Sequence, residues 1–260
     1  MRINHNIMSM NANRALGKNN SAQSKSLEKL SSGLAINRAA DDAAGLSISE
    51  SMRSQIAGLD RASTNAQDGI SFIQTAEGAM DEISNMLVRL EELAVQKKDG
   101  VLQTTDTANI EAEMTQLTAE IGDIVDKTKF NGKAITDKIV IGVTDDDTQT
   151  IEVGVENLAS AAKALAGNVS TMSTQSIKAA AEKLSTQRAK LGAQQNRLES
   201  KMNNLNSTVE NLQSAESRIR DTDMAAEMSN YNKYSILVQA STSMIAQANS
   251  APQSVLSLLQ

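Results

Sequence analysis

The sequence predicts a mainly α-helical fold, in which long antiparallel helices pack as a coiled-coil rod or bundle that carries one small β-hairpin. Apolar residues recur at every seventh position in two long segments, which is the spacing of a helical seam that needs a partner helix. One proline in 260 residues leaves almost nothing to interrupt helices. Aromatic residues make up only 2% of the chain, too few for a wide globular core but compatible with a thin bundle.

The clearer heptad segment covers residues 184–219, where Leu or Ile stands at every seventh position among polar residues. A partner with the same period lies far upstream, between Met52 and Ala94. We therefore expect two long helices, distant in sequence, to pack side by side. The heptad positions are Leu184, Leu191, Leu198, Leu205, Leu212 and Ile219 in one segment, and Met52, Leu59, Ala66, Ile73, Met80, Leu87 and Ala94 in the other.

The N-terminal third of the chain predicts two helices. Apolar residues at helical spacing run from about residue 3 to residue 34, and Gly33 is a typical helix stop. Asp41 and Asp42 stand where carboxylates cap the next helix, which is predicted over residues 43–97.

The helical pattern of apolar residues is interrupted after residue 97. A glycine and polar residues at 97–106 predict a turn, followed by a helix over residues 107–127. Phe130, Asn131 and Gly132 predict a tight turn. Alternating Ile and Val residues at 139–143 and 151–155 then predict a β-hairpin whose polar tip is 145–147. A short helix is expected around residues 156–166.

The C-terminal part of the chain is predicted to be helical from about residue 174 to residue 249. A break is expected near residues 220–223, where charged residues cluster and the apolar pattern shifts. The predicted organisation is an inner domain made from residues 1–43 and 222–260, and a helical rod domain of residues 44–221 with its hairpin near 138–155.

The two ends carry apolar stripes that their own pairing cannot bury fully, and such surface normally enters an assembly. We expect these ends to be disordered or frayed in the monomer and to order on polymerisation. The predicted polymerisation residues are Ile3, Ile7, Met10, Leu16, Leu27, Leu30, Tyr231, Val238, Ile245, Val255, Leu256, Leu258 and Leu259.

Several classes of function are disfavoured by composition. The net charge of −6 provides no basic stripe for nucleic acid. No apolar run reaches membrane-spanning length, and the first residues have no signal-peptide core, so any export is expected without a cleaved signal. His5 is the only histidine, there is no cysteine, and the acidic tip at 145–147 has no calcium-loop spacing. We predict no catalytic site, no metal and no cofactor.

Several strings closely resemble bacterial flagellin, and they cover both terminal regions and therefore most of the chain. The most specific of them is the Asn-Arg-Ala-Ala-Asp-Asp-Ala-Ala-Gly-Leu run within residues 31–49. The others are MRINHNIMSMNANRAL at the start, ISFIQTAEGAMDEISNML at 70–87, ELAVQ at 92–96, TKFNGKAI at 128–135 and QANSAPQSVLSLLQ at 247–260.

The resemblance implies a short-form subunit of the extracellular flagellar filament that serves motility and lacks the variable outer domains. It also implies a set of partners. These are further copies of the same chain in a helical homopolymer, an export chaperone at the C-terminal helix, and the filament cap and hook-junction proteins.

The resemblance further implies binding to the host Toll-like receptor five through Arg89, Leu93 and Glu113. Arg89 and Leu93 lie four residues apart on one predicted helix, and Glu113 lies on the next, antiparallel helix. Val88 and Glu91 depart from the family pattern, which has Gln and Arg at these positions. An exposed salt bridge between Arg89 and Glu113, or a contact inside the filament, is the alternative interpretation of the patch.

Two other functions stay open from the sequence alone. One is an adaptor at the hook–filament junction, and the other is an intracellular coiled-coil scaffold. Abundance in sheared surface material separates a filament subunit from both.

Overall fold

The structure is a computed structural model that describes residues 6–144, 150–155 and 173–258, with side chains described as far as residue 250. Five helices and two short antiparallel hairpins lie within these ranges, which agrees with the predicted mainly α-helical fold. The elements in chain order are α1 (Ile7–Ser32), α2 (Ala43–Gln96), α3 (Thr104–Lys127), β1 (Lys129–Phe130), β2 (Lys133–Ala134), β3 (Ile139–Gly142), β4 (Thr150–Val153), α4 (Thr174–Arg220) and α5 (Met224–Leu258).

Contacts divide the chain into two compact units. One unit combines Met1–Ser54 with Asn211–Gln260, and the other is Gln55–Glu210. Helices α2 and α4 therefore contribute residues to both units. The predicted domain limits at residues 43/44 and 221/222 stay a prediction. We call these the terminal unit and the central unit.

Local chemistry sets the boundaries of α1 in the terminal unit. The Asn6 side chain accepts a hydrogen bond from the Ser9 backbone N–H at 3.1 Å, which satisfies a free donor of the first turn. At the other end, Gly33 has φ 73° and donates its N–H to the Lys29 carbonyl oxygen at 2.8 Å. Glycine adopts this left-handed conformation without strain, and the helix ends at the residue before it, as expected.

The two acidic residues before α2 have different roles. Asp42 Oδ1 accepts from the backbone N–H groups of Ala44 and Gly45 at 3.1 and 3.0 Å, so it is the predicted cap. Asp41 instead accepts from the N–H groups of Asn37 and Arg38 at 3.3 and 3.1 Å. The Asp41 carboxylate therefore holds the connecting loop rather than the helix.

That loop also pairs with the break between α4 and α5. The Ala35 N–H donates to the Arg220 carbonyl oxygen at 2.7 Å, and the Thr222 N–H donates to the Gly33 carbonyl oxygen at 3.0 Å. Leu34 and Asp221 form an isolated antiparallel bridge. The predicted break at residues 220–223 is confirmed, and its backbone groups are satisfied by the loop after α1.

In the central unit, α2 packs antiparallel to both α3 and α4. Ion pairs mark the register with α4: Lys178 lies 3.4 Å from Glu91, and Arg188 lies 3.2 Å from Asp81. The register with α3 is marked by Lys97, whose Nζ lies 2.6 Å from Glu111 Oε1. Nine of the ten predicted heptad positions in this unit are buried, and the tenth, Leu59, is half-buried. The nine buried positions are Ala66, Ile73, Met80, Leu87, Ala94, Leu184, Leu191, Leu198 and Leu205.

Two hairpins complete the central unit. The first has a two-residue turn in which Asn131 and Gly132 both have positive φ, 49° and 83°. This geometry matches the twist of a tight hairpin, and it adds two short strands that the sequence predicted only as a turn. The second is the predicted hairpin, in which Ile141 pairs with Ile151. Its tip at 145–147 and the predicted helix at 156–166 lie outside the described residues.

Candidate assembly surface

Helices α1 and α5 form an antiparallel pair within the terminal unit. The Asn6 side chain donates to the Ala248 carbonyl oxygen at 2.7 Å, and the Asn19 side chain donates to Ser241 Oγ at 3.0 Å. Because residue numbers rise along α1 as their partners fall along α5, the two chains run in opposite directions.

The inner side of this pair has few large apolar side chains on the α1 helix. One row of buried or half-buried positions repeats there at spacings of three and four, and most of its residues are small or polar. The row is Ser9, Ala12, Leu16, Asn19, Gln23, Ser26 and Leu30. Tyr231, Val238 and Ile245 are half-buried on α5, and Ala248 is buried. The seam of the pair therefore buries little apolar area.

The exposed large apolar residues of the chain are concentrated on this helix pair. Nine of the fourteen exposed large apolar residues in the described part of the chain lie on these two helices. We call these nine the assembly surface: Ile7, Met8, Met10, Leu27, Met224, Met228, Ile236, Leu237 and Met244. Their exposed fractions run from 37% at Leu237 to 66% at Met8. A concentration of exposed apolar residues on one helix pair is typical of an interaction surface.

The predicted polymerisation residues separate into three groups. Ile7, Met10 and Leu27 are exposed and belong to the assembly surface. Five are half-buried in the described structure: Leu16, Leu30, Tyr231, Val238 and Ile245. The remaining five, Ile3, Val255, Leu256, Leu258 and Leu259, have side chains outside the described residues.

Six residues of the assembly surface were not among the predicted polymerisation residues. Met224 stands seven residues before Tyr231 and shares its heptad position, so spacing could have found it. The other five lie off the predicted apolar stripes. A large apolar residue outside the heptad positions of a helix is the signal that identifies them, because such a residue contributes less to the intramolecular seam. They are Met8, Met228, Ile236, Leu237 and Met244.

The predicted receptor residues come from α2 and α3 in the central unit. Arg89 donates through Nε and Nη2 to Glu113 Oε1 at 3.0 and 2.9 Å, and through Nη1 to Glu92 Oε2 at 3.1 Å. The hydrogen bond to Glu113, followed by that to Glu92, raises the pKa of Arg89 above its ordinary value. The side chains of Arg89 and Glu113 are 49% and 47% exposed. The structure thus brings this pair together on the surface.

The Leu93 side chain is buried in the core, whereas the Arg89–Glu113 pair lies at the surface. Leu93 is 1% exposed and belongs to the central hydrophobic core. Residues four apart on a helix are offset by about 40° around its axis, enough for one to face solvent and the other the core. Val88 is 59% exposed beside Arg89, whereas Glu91 is half-buried and pairs with Lys178. The surface patch is therefore formed by Arg89, Glu92, Glu113 and Val88, without the Leu93 side chain.

Among the described residues, no group of three His, Cys, Asp or Glu side chains is placed to hold a metal ion. No described helix is both long and apolar enough to cross a membrane.

Comparisons with known proteins decide the family. Residues 3–140 match the family described as bacterial flagellin N-terminal helical region, and residues 174–259 match bacterial flagellin C-terminal helical region. The chain belongs to the flagellin family. Flagellins are structural proteins of the filament, so this chain is a filament subunit and not an enzyme.

Full-length relatives agree with that assignment. This flagellin is 45% identical over 304 residues to the flagellin of Bacillus subtilis, and 48% identical over 272 residues to that of Halalkalibacterium halodurans. It is also 45% identical over 286 residues to a flagellar filament 33 kDa core protein of Treponema phagedenis. Each alignment covers 100% of both chains.

A solved structure is also similar. The crystal structure of Bacillus cereus flagellin aligns with a TM-score of 0.41 and 26% identity, over 64% of this chain and 93% of that chain. Family membership rests on the sequence matches.

Proposed function

We propose that this flagellin polymerises by burying its assembly surface against further copies of the same chain. The observation that carries the proposal is the exposure of large apolar residues on α1 and α5, beside a seam of mostly small and polar residues on α1. Fully burying such a side chain contributes roughly 1.5–3 kcal/mol, and because these residues are 37–66% exposed, each retains about half of that gain for assembly. Several such residues per subunit therefore favour a polymer. The occupant is a second copy because flagellins self-assemble.

Surface substitutions test this proposal without touching the seam. Ile236 is 65% exposed and Leu27 is 54% exposed, so replacing either with Ser removes mainly solvent-exposed apolar area. We expect Ile236→Ser and Leu27→Ser to remain helical and to need a higher concentration to polymerise in a sedimentation assay. Gln239→Ser, an exposed polar position on the same helix as Ile236, is the matched control and should assemble like wild type. Normal assembly by both apolar variants would refute the proposed surface.

The C-terminal residues predicted to take part are tested by truncation. Deleting residues 255–260 removes Val255, Leu256, Leu258 and Leu259. We expect weaker polymerisation and an unchanged thermal transition of the central unit. Filaments that form at the wild-type concentration from the truncated chain would remove these four residues from the proposal.

The same surface is proposed to bind the other expected partners: an export chaperone before polymerisation, and the cap and hook-junction proteins at the ends of the filament. The exposed apolar residues of α5, among them Ile236 and Met244, suit an export chaperone that covers them until polymerisation. Filament cap and hook-junction proteins would contact the surface where no further subunit covers it. A binding assay with purified chaperone should show loss of affinity in Ile236→Ser but not in Gln239→Ser.

We also propose that the patch around Arg89 and Glu113 binds the host Toll-like receptor five. A planar guanidinium already held by two carboxylates, next to the exposed apolar Val88, has the composition of an interface centre. Leu93 supports the patch from beneath as a core residue. The exposed ion pair itself contributes only about 0–1 kcal/mol to folding, so its substitution leaves the protein folded.

A pulldown of monomer with the receptor ectodomain tests this second proposal. Arg89→Ala and Glu113→Ala should each lose binding. Arg188→Ala is the control, because it breaks another interhelical ion pair of α2, with Asp81 at 3.2 Å, away from the patch. If both patch variants still bind the receptor, or if the control loses binding to the same extent, the proposed receptor site at Arg89 and Glu113 is wrong.

A further inference from the structure

The methionines of this chain are distributed unevenly between the two units. Ten of its twelve methionines have described side chains. The exposed ones lie on α1 and α5 of the terminal unit, whereas Met80 and Met114 of the central unit are 0% exposed. Met52, Met86 and Met202 are half-buried. The five exposed residues are Met8, Met10, Met224, Met228 and Met244, with exposed fractions from 48% to 66%.

These five methionines make up more than half of the nine-residue assembly surface. The antiparallel register places Met10 at the level of Met244, because Asn6 lies opposite Ala248. Met224 and Met228 lie near the other end of the pair, where Leu34 bridges Asp221. Both ends of the helix pair therefore present thioether groups to solvent.

The chain offers an oxidant few alternative targets. It contains no cysteine and no tryptophan, so the methionine thioethers are its only sulfur groups. Peroxides oxidise an accessible thioether to a sulfoxide, which is polar, and reductases specific for each sulfoxide epimer reverse the change. Accessibility decides which methionine reacts first.

We propose that Met8, Met10, Met224, Met228 and Met244 are reversible oxidation sites that control assembly. Hydrogen peroxide transfers one oxygen atom to the sulfur: the peroxide O–O bond breaks, an S–O bond forms, the sulfur loses two electrons, and water leaves. Each sulfoxide replaces apolar contact area on the assembly surface with a strong hydrogen-bond acceptor. Subunits oxidised before assembly then polymerise poorly, while subunits already in a filament are shielded.

The inference rests on the proposed assembly surface and adds its regulation. Each of these methionines is about half exposed in the monomer, so losing its remaining burial raises the concentration needed for polymerisation by roughly four- to tenfold. Oxidation at several of the five positions multiplies the effect.

Peptide mapping by mass spectrometry tests the order of oxidation. Full-length monomer treated with hydrogen peroxide should gain oxygen at the five exposed methionines first, and at Met80 and Met114 last. The same treatment of filaments should leave the five largely unmodified. Equal rates at the exposed and the buried methionines of the monomer would overturn the proposal.

Sedimentation of the treated monomer tests the consequence. We expect peroxide to suppress polymerisation and methionine sulfoxide reductases to restore it. The quintuple variant Met8→Leu, Met10→Leu, Met224→Leu, Met228→Leu and Met244→Leu has no thioether on the surface. Whatever concentration it needs to polymerise, peroxide should leave that concentration unchanged. A variant with Leu at Met52, Met86 and Met202 is the control and should stay sensitive. If the five-Leu variant does not assemble, recovery of the wild type by the reductases decides the matter, and failure to recover overturns the proposal.

The outcomes separate this inference from the proposed function. Untreated protein that assembles, together with oxidised protein that assembles equally well, overturns the oxidation switch and leaves the assembly surface standing. Normal assembly by Ile236→Ser and Leu27→Ser removes the assembly surface itself.

Discussion

At the scale of single residues, two glycines of α2 differ in what surrounds them. A Cβ added to Gly69 would clash with Ile141 Cδ1 and lie 3.3 Å from Leu198 Cδ1, whereas a Cβ on Gly78 meets nothing within 4 Å. Gly69 therefore leaves room for the second hairpin to approach the helix. Gly78 only weakens the helix it belongs to.

Alanine at these two positions should have opposite effects. Gly78→Ala should stabilise the protein by up to about 1 kcal/mol, because alanine is the better helix former. Gly69→Ala raises helix propensity by the same amount, but the new methyl group must displace the buried Ile141 side chain, which should lower the free energy of unfolding by about 1–3 kcal/mol. Urea denaturation of the two variants measures the difference. Equal stabilisation by both would mean that the hairpin does not pack closely on α2.

A carboxylate in the loop after α1 should make that loop sensitive to acid. The backbone N–H of Arg38, assisted by that of Asn37, holds the pKa of Asp41 below its ordinary value. A group with a lowered pKa stabilises the fold above its unfolded pKa of about 3.9, and this contribution is lost as the pH falls through the lower, folded value.

Amide exchange checks the role of Asp41. At neutral pH, Asp41→Ala should reduce the protection of the Asn37 and Arg38 amides, and the difference from wild type should vanish in strong acid. Glu50→Ala, at an exposed site in the same unit, should leave both amides unchanged. A difference that persists at low pH would show that the charge of Asp41 is not responsible.

At the scale of elements, the central coiled-coil seam depends on the leucines of α4. Leu198 is 0% exposed and Leu205 is 2% exposed, although the residues around them are mostly Gln, Asn, Lys and Glu. Their burial against α2 explains how so polar a helix of 47 residues is held in place.

Truncating these leucines should be costly. Leu198→Ala and Leu205→Ala are each expected to lower the free energy of unfolding by about 2–5 kcal/mol, since both the buried area and the close packing are lost. Asn203→Ala, an exposed neighbour on the same helix, should change it by no more than about 0.5 kcal/mol. Comparable losses at Leu198 and Asn203 in urea melts would show that the heptad register is wrong.

At the scale of the whole molecule, the two units have very different cores. Among the described residues, Ile36 and Ala248 are the only buried apolar side chains of the terminal unit, while the central unit holds all the others. Local stability follows the density of buried apolar contacts. The expected fraying of the ends in the monomer is consistent with this contrast and is open to measurement.

In the monomer, the rates of amide hydrogen exchange should therefore differ between the terminal unit and the central unit. Amides of α1 and α5 should exchange at rates set by local opening, and those of α2 between Ala66 and Ala94 at rates near global unfolding. Polymerisation should bring α1 and α5 close to the protection of the central unit. Strong protection of α1 and α5 in the free monomer would contradict the idea that assembly orders them.

The sequence alone determined the helices, the main hairpin, the helix break and the family. Each depends on short-range chemistry: the seven-residue repeat, the glycine stop at Gly33, the capping carboxylate at Asp42 and strings of residues that are matched one by one. The two-residue turn at Asn131 and Gly132 was also recognisable, although the strands beside it were too short to predict.

Only the tertiary structure decided which apolar positions are buried. The heptad continues unchanged through Leu205 to Leu212 and Ile219, yet Leu205 is buried and the other two are half-buried. Spacing also placed Leu93 beside Arg89, whereas packing buried the leucine and left the arginine exposed. Periodicity reports which residues share one side of a helix, but burial depends on what lies against that side. On α1, the side against α5 holds mostly small and polar residues, and the exposed apolar side chains form part of the proposed assembly surface.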